Sequence, residues 1–274
     1  MVTMIAQNSQ ARHKVAHSIL KCFWVVLAIF LCLLFQKSSL QELTSGDENL
    51  SIKQKTVKLQ AKGSKLALLA KTPTFGLDNV LANYIFLDFL QYFGDIETRK
   101  ELDYNLVISF FEGILAHTPH YRQFYFFLSG SGSLYAAQPQ ESIMLIEKGL
   151  QELSPNQPDD SYYIWRYKGV DELLFLGDGE AAQQSFETSV LWAEQSDHPD
   201  SEVIGQLSKQ TARYLALNPQ SEFAQVQAWS SILATAFNER TQKQAIERIR
   251  KLGGRVTISE GGEFKVEFSP KDLH

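Results

Sequence analysis

Cysteine is nearly missing from this chain of 274 residues. Its two cysteines, Cys22 and Cys32, both lie in an apolar run near the N-terminus. The rest of the sequence therefore contains no thiol nucleophile, no disulfide and no thiolate metal ligand. Because a cysteine-free domain works in oxidising and reducing environments alike, this absence says little about the compartment.

An excess of positive charge is also lacking. The chain carries 26 Lys and Arg against 31 Asp and Glu, which gives a formal net charge of -5. A protein that binds nucleic acid through its phosphates needs a basic face. The composition therefore predicts no nucleic-acid partner.

Sequence motifs for catalysis are absent as well. The chain has neither a phosphate-binding Gly-x-x-x-x-Gly-Lys loop nor a Gly-x-Ser-x-Gly elbow. The Ser-Gly-Ser-Gly-Ser segment at 129–133 lacks a strand-turn-helix context, which favours a packing or turn role. His117 and His120 flank Pro119, which breaks the helix that would align them, and a metal site needs three or four ligands. We therefore predict no catalytic residue, no metal ligand and no cofactor.

Several acidic residues are candidate functional groups. Asp88 lies in an apolar helical segment, where a polar stripe or a bond to a neighbouring helix is the favoured role. Asp159 and Asp160 are predicted to cap a helix. Asp171 and Glu172 are predicted to lie on a solvated helix face, because the sequence shows no partner acid or base for them.

Residues 19–36 are predicted to form a transmembrane anchor. Residues 19–35 are apolar apart from Lys21, follow basic residues, and precede the first acid, Glu42. A spanning helix needs about 20 apolar residues, and the positive-inside rule places residues 1–18 in the cytoplasm. Two alternatives remain open: a cleaved signal peptide, although no Ala-x-Ala site follows the apolar core, and a buried helix of a soluble protein.

The polar residues 37–64 are predicted to form a linker, with at most a short strand or helix at 57–59. Beyond them, apolar residues recur with helical spacing up to residue 252, and prolines close successive helix pairs. The sequence therefore predicts a helical domain over residues 65–252. The predicted helices are 80–93, 101–117, 123–135, 140–153, 161–176, 180–195, 200–217, 221–237 and 241–252.

The repeated unit resembles the tetratricopeptide (TPR) repeat. In that repeat a small residue lies midway in the first helix, small and bulky residues alternate in the second, and proline ends the unit. The matching residues are Phe111, Ile114 and Pro119, then Gly130, Ser142, Ile146, Gly149 and Pro155, then Gly169, Ala182, Phe186, Ser189 and Pro199. The prolines are 36 and 44 residues apart, against a family period of 34, so the resemblance is to a divergent member.

Segment 73–95, together with 228–229 and 252–254, is similar to a family of membrane-anchored, TPR-like proteins common in cyanobacteria. This resemblance implies a single-pass protein of a bacterial plasma or thylakoid membrane, and it implies no known activity.

The C-terminal residues 253–274 are predicted to form a β-hairpin and a tail. A two-residue Gly261-Gly262 turn would mix the two faces of the hairpin. A three-residue loop at 260–262 instead sets Ile258 opposite Phe264 and Val256 opposite Val266, with Gly262 left-handed. Because an isolated hairpin is marginal, its apolar face is predicted to pack on the last helix.

The sequence as a whole predicts an all-α fold of TPR-like stacked helix pairs with an N-terminal transmembrane helix and a C-terminal hairpin. The expected function is a membrane-tethered scaffold that binds another protein, and the resemblance implies a role in assembling or maintaining a membrane complex. Tyr163 and Arg166 are expected one turn apart, on the side away from Gly169. A structural subunit and an envelope hydrolase are the alternatives, and each aromatic on the predicted concave face could instead be core. The predicted partner-binding residues are Phe124, Phe127, Leu134, Tyr135, Tyr163 and Arg166.

Overall fold

The structure is a computed structural model that describes residues 24–27, 30, 51–236, 239–258 and 264–268. The chain divides into two units, Met1–Lys55 and Thr56–His274. Most of the predicted anchor at 19–36 lies outside the described residues, although residues 24–27 are helical. Among the residues that are described, no helix is both long enough and apolar enough to cross a bilayer.

The described chain is mostly helical, with a two-stranded antiparallel sheet near its C-terminus. Two of its helices, α5 and α7, continue directly into π-helical segments, π1 and π2. The elements are α1 (Ile52–Leu69), α2 (Asp78–Gly94), α3 (Ile96–Leu102), α4 (Val107–His117), α5 (Arg122–Leu128), π1 (Ser129–Tyr135), α6 (Pro139–Leu150), α7 (Tyr162–Asp171), π2 (Glu172–Leu176), α8 (Gly179–Ala193), α9 (Ser201–Leu217), α10 (Glu222–Thr235), α11 (Glu239–Lys251), β1 (Arg255–Ile258) and β2 (Phe264–Glu267).

Helices that are close in sequence pack against each other, as expected for a stack of helix pairs. Helix α2 packs on α4, π1 on α6, α7 on α8 and α10 on α11. Successive helix pairs also pack on each other, because α5 contacts α7 and α8 contacts α9. This architecture is compatible with the predicted helical repeat.

Two predicted boundaries differ from the structure. Residues 52–64 of the predicted linker are helical, because α1 places Leu59 and Leu66 against the main hydrophobic core. The predicted helix 101–117 is interrupted at Asp103, whose φ is 58°. Arg99 stabilises this break, since its guanidinium lies 4.0 Å from the Tyr92 ring centre and donates to the Asp103 carbonyl at 2.7 Å.

Small residues allow close helix contacts, but not always where the sequence predicted them. Gly169 contacts the Phe186 ring, where an added Cβ would lie 3.1 Å from the nearest ring atom. In π1 the close contact is made by Gly132 against the Ser142 hydroxyl, while an added Cβ at Gly130 would meet nothing within 4 Å. The assignment of Gly130 to the packed position is therefore wrong, and Gly132 occupies it.

The hairpin has the predicted pairing, with Ile258 opposite Phe264 and Val256 opposite Val266. Val256, Phe264 and Val266 pack on a core cluster that contains Ile249 of α11. The expected packing on the last helix is confirmed, and the loop that joins the strands lies outside the described residues.

Candidate functional site: an aromatic ridge and a buried carboxylate pair

Five aromatic side chains form a continuous line across helices α2, α5 and α7, which we call the aromatic ridge. Its members are Phe86, Phe127, Phe126, Tyr167 and Tyr163. Ring centres are 5.1 Å apart between Phe86 and Phe127, and 5.8 Å apart between Phe127 and Phe126. The line continues from Phe126 to Tyr167 at 5.7 Å and from Tyr167 to Tyr163 at 6.4 Å.

The ridge is open to solvent at its centre. Phe126 is 53 % exposed and Phe127 is 37 % exposed, and the other three members are half-buried. Helix α5 has four consecutive aromatics, of which Phe124 and Tyr125 are buried. Because four consecutive residues point in all directions around a helix, the other two must face outwards.

Polar groups fix one end of the ridge. The Arg122 guanidinium lies 4.5 Å from the centre of the Tyr163 ring, and its Nε lies 2.7 Å from Asp160 Oδ2. The Tyr163 hydroxyl donates to Asp200 at 3.4 Å. Partial burial raises the pKa of Tyr163, and the neighbouring Asp200 raises it further. The tyrosine therefore stays neutral and remains a hydrogen-bond donor.

The predicted partner-binding residues do not all lie together. Phe127 and Tyr163 belong to the ridge, whereas Phe124 and Leu134 are buried in the core. Tyr135 is half-buried, and its hydroxyl accepts from Thr241 at 2.6 Å. Phe124 and Leu134 therefore leave little for a partner to touch, and the Tyr135 hydroxyl is already engaged.

Arg166 also lies elsewhere than predicted. It donates to Ser208 Oγ at 2.8 Å, and its guanidinium lies 5.6 Å from the centre of the Phe186 ring. Gly169 contacts the same ring. The expectation that Arg166 lies on the side away from Gly169 is therefore wrong, because residues three apart share a helix face.

Three members of the ridge, which are Phe86, Phe126 and Tyr167, were not predicted from the sequence. Tyr167 follows Tyr163 by four residues, so the two side chains must lie on one face of α7. That spacing was a usable signal. Phe86 carried none, because only packing reveals which side of an apolar helix stays open.

A second cluster lies at the joints between α- and π-helix. Asp171 ends α7 and is completely buried, with a relative exposure of 0 %. It accepts hydrogen bonds from Ser129 Oγ at 2.7 Å and from Ser133 Oγ at 2.6 Å. Burial raises the pKa of Asp171 to about 7, although the two serine hydroxyls act in the opposite direction. The hydroxyls of Ser129 and Ser133, in the segment 129–133 that was predicted to serve packing, thus link π1 to α7 of the next helix pair.

Glu172 is buried beside Asp171 and has its own partners. It accepts from Lys168 Nζ at 2.5 Å and from Ser185 Oγ at 2.6 Å. Lys168 also lies 3.2 Å from Glu147. The prediction that Asp171 and Glu172 lie on a solvated face is wrong, because both carboxylates are used inside the stack.

The chemistry open to these groups is limited by burial. A serine nucleophile needs a base and access for the substrate, and the described contacts enclose Asp171 completely. Asp88 pairs with Lys62 at 2.6 Å, and a ring nitrogen of His117 lies 2.8 Å from the Leu69 carbonyl oxygen. Among the described residues, no group of three His, Cys, Asp or Glu could hold a metal ion.

Comparison of the chain with protein-family models, with curated proteins and with solved structures finds no match in any of the three. The exposed aromatic ridge is therefore the feature from which a function is best argued.

Proposed function

We propose that this protein is a TPR-like helical scaffold that binds a segment of another protein along the aromatic ridge. The apolar run at 19–36 would hold it at a membrane, and its role would be binding rather than catalysis. The observation that carries the proposal is the line of five adjoining rings, drawn from three different helices and open to solvent at Phe126 and Phe127.

The exposure of the ridge, the entropy lost on binding and the binding energy of aromatic residues all favour a binding site here. Adjoining exposed aromatics are uncommon on a surface that contacts only water, and such patches mark interaction sites. Rings already packed on their neighbours lose little conformational entropy when a partner covers them. Aromatic side chains also supply the largest contributions to binding energy in protein interfaces.

The dimensions of the ridge favour an extended segment. Packed helices lie about 8–10 Å apart, so a ridge across three helices spans roughly 20 Å. An extended chain covers that distance in about six residues, at about 3.3 Å each. Stacked helix pairs are expected to bind a segment laid across their first helices, and the ridge lies on three such helices.

The test compares two matched double variants. Phe126→Ala with Tyr167→Ala removes two ring faces from the ridge. Met144→Ala with Leu191→Ala removes exposed side chains of α6 and α8, which are 62 % and 56 % exposed. Both variants should keep their helical circular dichroism spectrum, although the ridge variant should melt at a lower temperature because Tyr167 packs on the main core.

Partner recovery decides the outcome. Proteins that co-purify from detergent-solubilised membranes are compared by quantitative mass spectrometry. A loss of about 2 kcal/mol corresponds to roughly 30-fold weaker binding. We expect at least that loss for the ridge variant and none for the control. Equal recovery with both folded variants would refute binding at the ridge.

A further inference from the structure

The turn between α1 and α2 presents a strained and exposed aromatic residue. Phe75 has a φ of 52° and is 93 % exposed. A bulky residue in the left-handed region is a real outlier, because its Cβ crowds the backbone. Such strain points to a function when the fold gains nothing from the side chain that causes it.

This turn is held firmly by its neighbours. Thr74 Oγ1 donates to Asp78 Oδ1 at 2.6 Å, and the Leu77 amide donates to the Thr74 carbonyl at 3.0 Å. The His117 ring lies against the Leu69 carbonyl at the end of α1. These contacts hold the backbone on both sides of Phe75, so that its side chain projects into solvent.

Other exposed apolar residues flank Phe75 along the chain, at the end of α1 and the start of α2. Leu68, Leu77 and Val80 are 69 %, 61 % and 64 % exposed. Tyr121 is 51 % exposed in the next turn, which Thr118 ties to Asn79 through a 3.1 Å hydrogen bond. We call these five residues, Leu68, Phe75, Leu77, Val80 and Tyr121, the Phe75 tip.

The chain that leads into the tip is basic. Residues 51–77 contain six lysines and no acidic residue, whereas the whole chain has a net charge of -5. Lys62 is paired with Asp88 and Lys65 donates to the Tyr84 hydroxyl, while Lys71 lies exposed within the turn itself. Lys55 is buried and Asp78 closes the turn, so Lys71 is the cation that this segment presents beside the tip. An apolar tip with an exposed cation beside it is complementary to a surface that is apolar inside and anionic outside.

We propose that the Phe75 tip inserts into the interfacial layer of an anionic lipid bilayer, with Lys71 among the headgroups. This inference rests on the proposed membrane tether. The 15 residues at 37–51 reach at most roughly 50 Å when extended. Helix α1, with 18 residues, is about 27 Å long. Those lengths allow the tip to reach the membrane in which we propose that the anchor lies.

The test uses the full chain, reconstituted into vesicles of phosphatidylcholine, with or without phosphatidylglycerol. Cys22 and Cys32 are changed to serine, and Pro73→Cys carries a fluorophore beside the tip. Nitroxide-labelled lipids then report whether the fluorophore lies in the bilayer interface. Phe75→Asn removes the aromatic ring, since asparagine tolerates the left-handed region. Leu217→Asn is the matched control, because Leu217 is 83 % exposed at the C-terminal end of α9.

We expect quenching in the anionic vesicles, its loss in Phe75→Asn, and no change in Leu217→Asn. Substitution of Lys71 by glutamine should weaken quenching in anionic vesicles only. Protein that floats with the vesicles but shows no quenching would overturn the inference while leaving the tether intact. Protein that does not float at all would overturn both. Quenching replaced by Phe75-dependent self-association would show that the tip binds a second copy instead. Partner recovery at the ridge should be the same in Phe75→Asn as in the unchanged protein.

Discussion

Replacing Asp171 by asparagine should stabilise the protein at neutral pH. The carboxyl is completely buried and its pKa is raised to about 7, so the folded state favours the protonated acid. In the unfolded chain the same acid has its ordinary pKa of 3.8. The contribution of Asp171 to the free energy of unfolding is therefore largest below about pH 4. It decreases as the pH rises towards 7 and stays constant above pH 7.

The size of the effect follows from this difference in pKa. The two values differ by about three pKa units, and each unit is worth about 1.36 kcal/mol. The cost at neutral pH is therefore at most about 4 kcal/mol. Asparagine avoids it, because its amide can donate to one serine hydroxyl and accept from the other. We expect Asp171→Asn to gain about 2–4 kcal/mol near pH 7 and almost nothing near pH 4.

The assay is urea unfolding of the full chain in detergent, followed by far-UV circular dichroism from about pH 4 to about pH 8. The quantity compared is the free energy of unfolding of the variant minus that of the unchanged protein, because the other carboxylates then cancel. Asp159→Asn, at an exposed position, should give no pH-dependent difference. Ser133→Ala removes a hydrogen bond that favours the carboxylate and should destabilise the protein most at neutral pH. A loss of stability in Asp171→Asn at every pH would refute the reasoning.

Three further predictions concern the fold. In Gly149→Ala the new methyl group would overlap the Tyr125 hydroxyl. We expect a loss of about 1–3 kcal/mol in unfolding free energy, whereas Gly130→Ala, which meets open space, should not destabilise. In Asp178→Ala helix α8 loses its side-chain cap, and thermal melting should show a loss of about 1 kcal/mol that serine at this position restores. Phe75→Asn should raise the unfolding free energy by about 1 kcal/mol, because strain is relieved without lost packing, and a large destabilisation would show that the ring is structural.

The sequence predicted the periodic parts of the fold well. Helical spacing and closing prolines located most helices, and alternation located the hairpin with its pairing of Val256 and Val266. These signals are local, because each depends on residues a few positions apart. The predictions failed where a contact between residues far apart in sequence determines the local structure. Leu59 lies in a polar stretch, and only its packing against the core explains why this part of α1 is ordered.

The candidate site was predicted only in part, for a related reason. The chain shows that α5 and α7 are rich in aromatics, but the exposure of Phe126 depends on which rings its neighbours cover. The burial of Asp171 depends on Ser129, 42 residues earlier. A run of charged residues at a helix end looks solvated until a second helix is known to face it.

The π-helical segments affect how these helix pairs would be aligned with a regular helical repeat. In π1 the Ala136 amide donates to the Ser131 carbonyl, five residues back instead of four. One additional residue then fits in the turn, and the side chains that follow rotate by about 100° relative to a regular α-helix. The same shift in phase occurs in π2, at the corresponding place in the next unit. A straight-helix template therefore goes out of register halfway along both first helices, and it places Leu134 on the open side although the residue is buried. An alignment that allows one inserted residue before Leu134 and one before Leu173 would restore the register in both units.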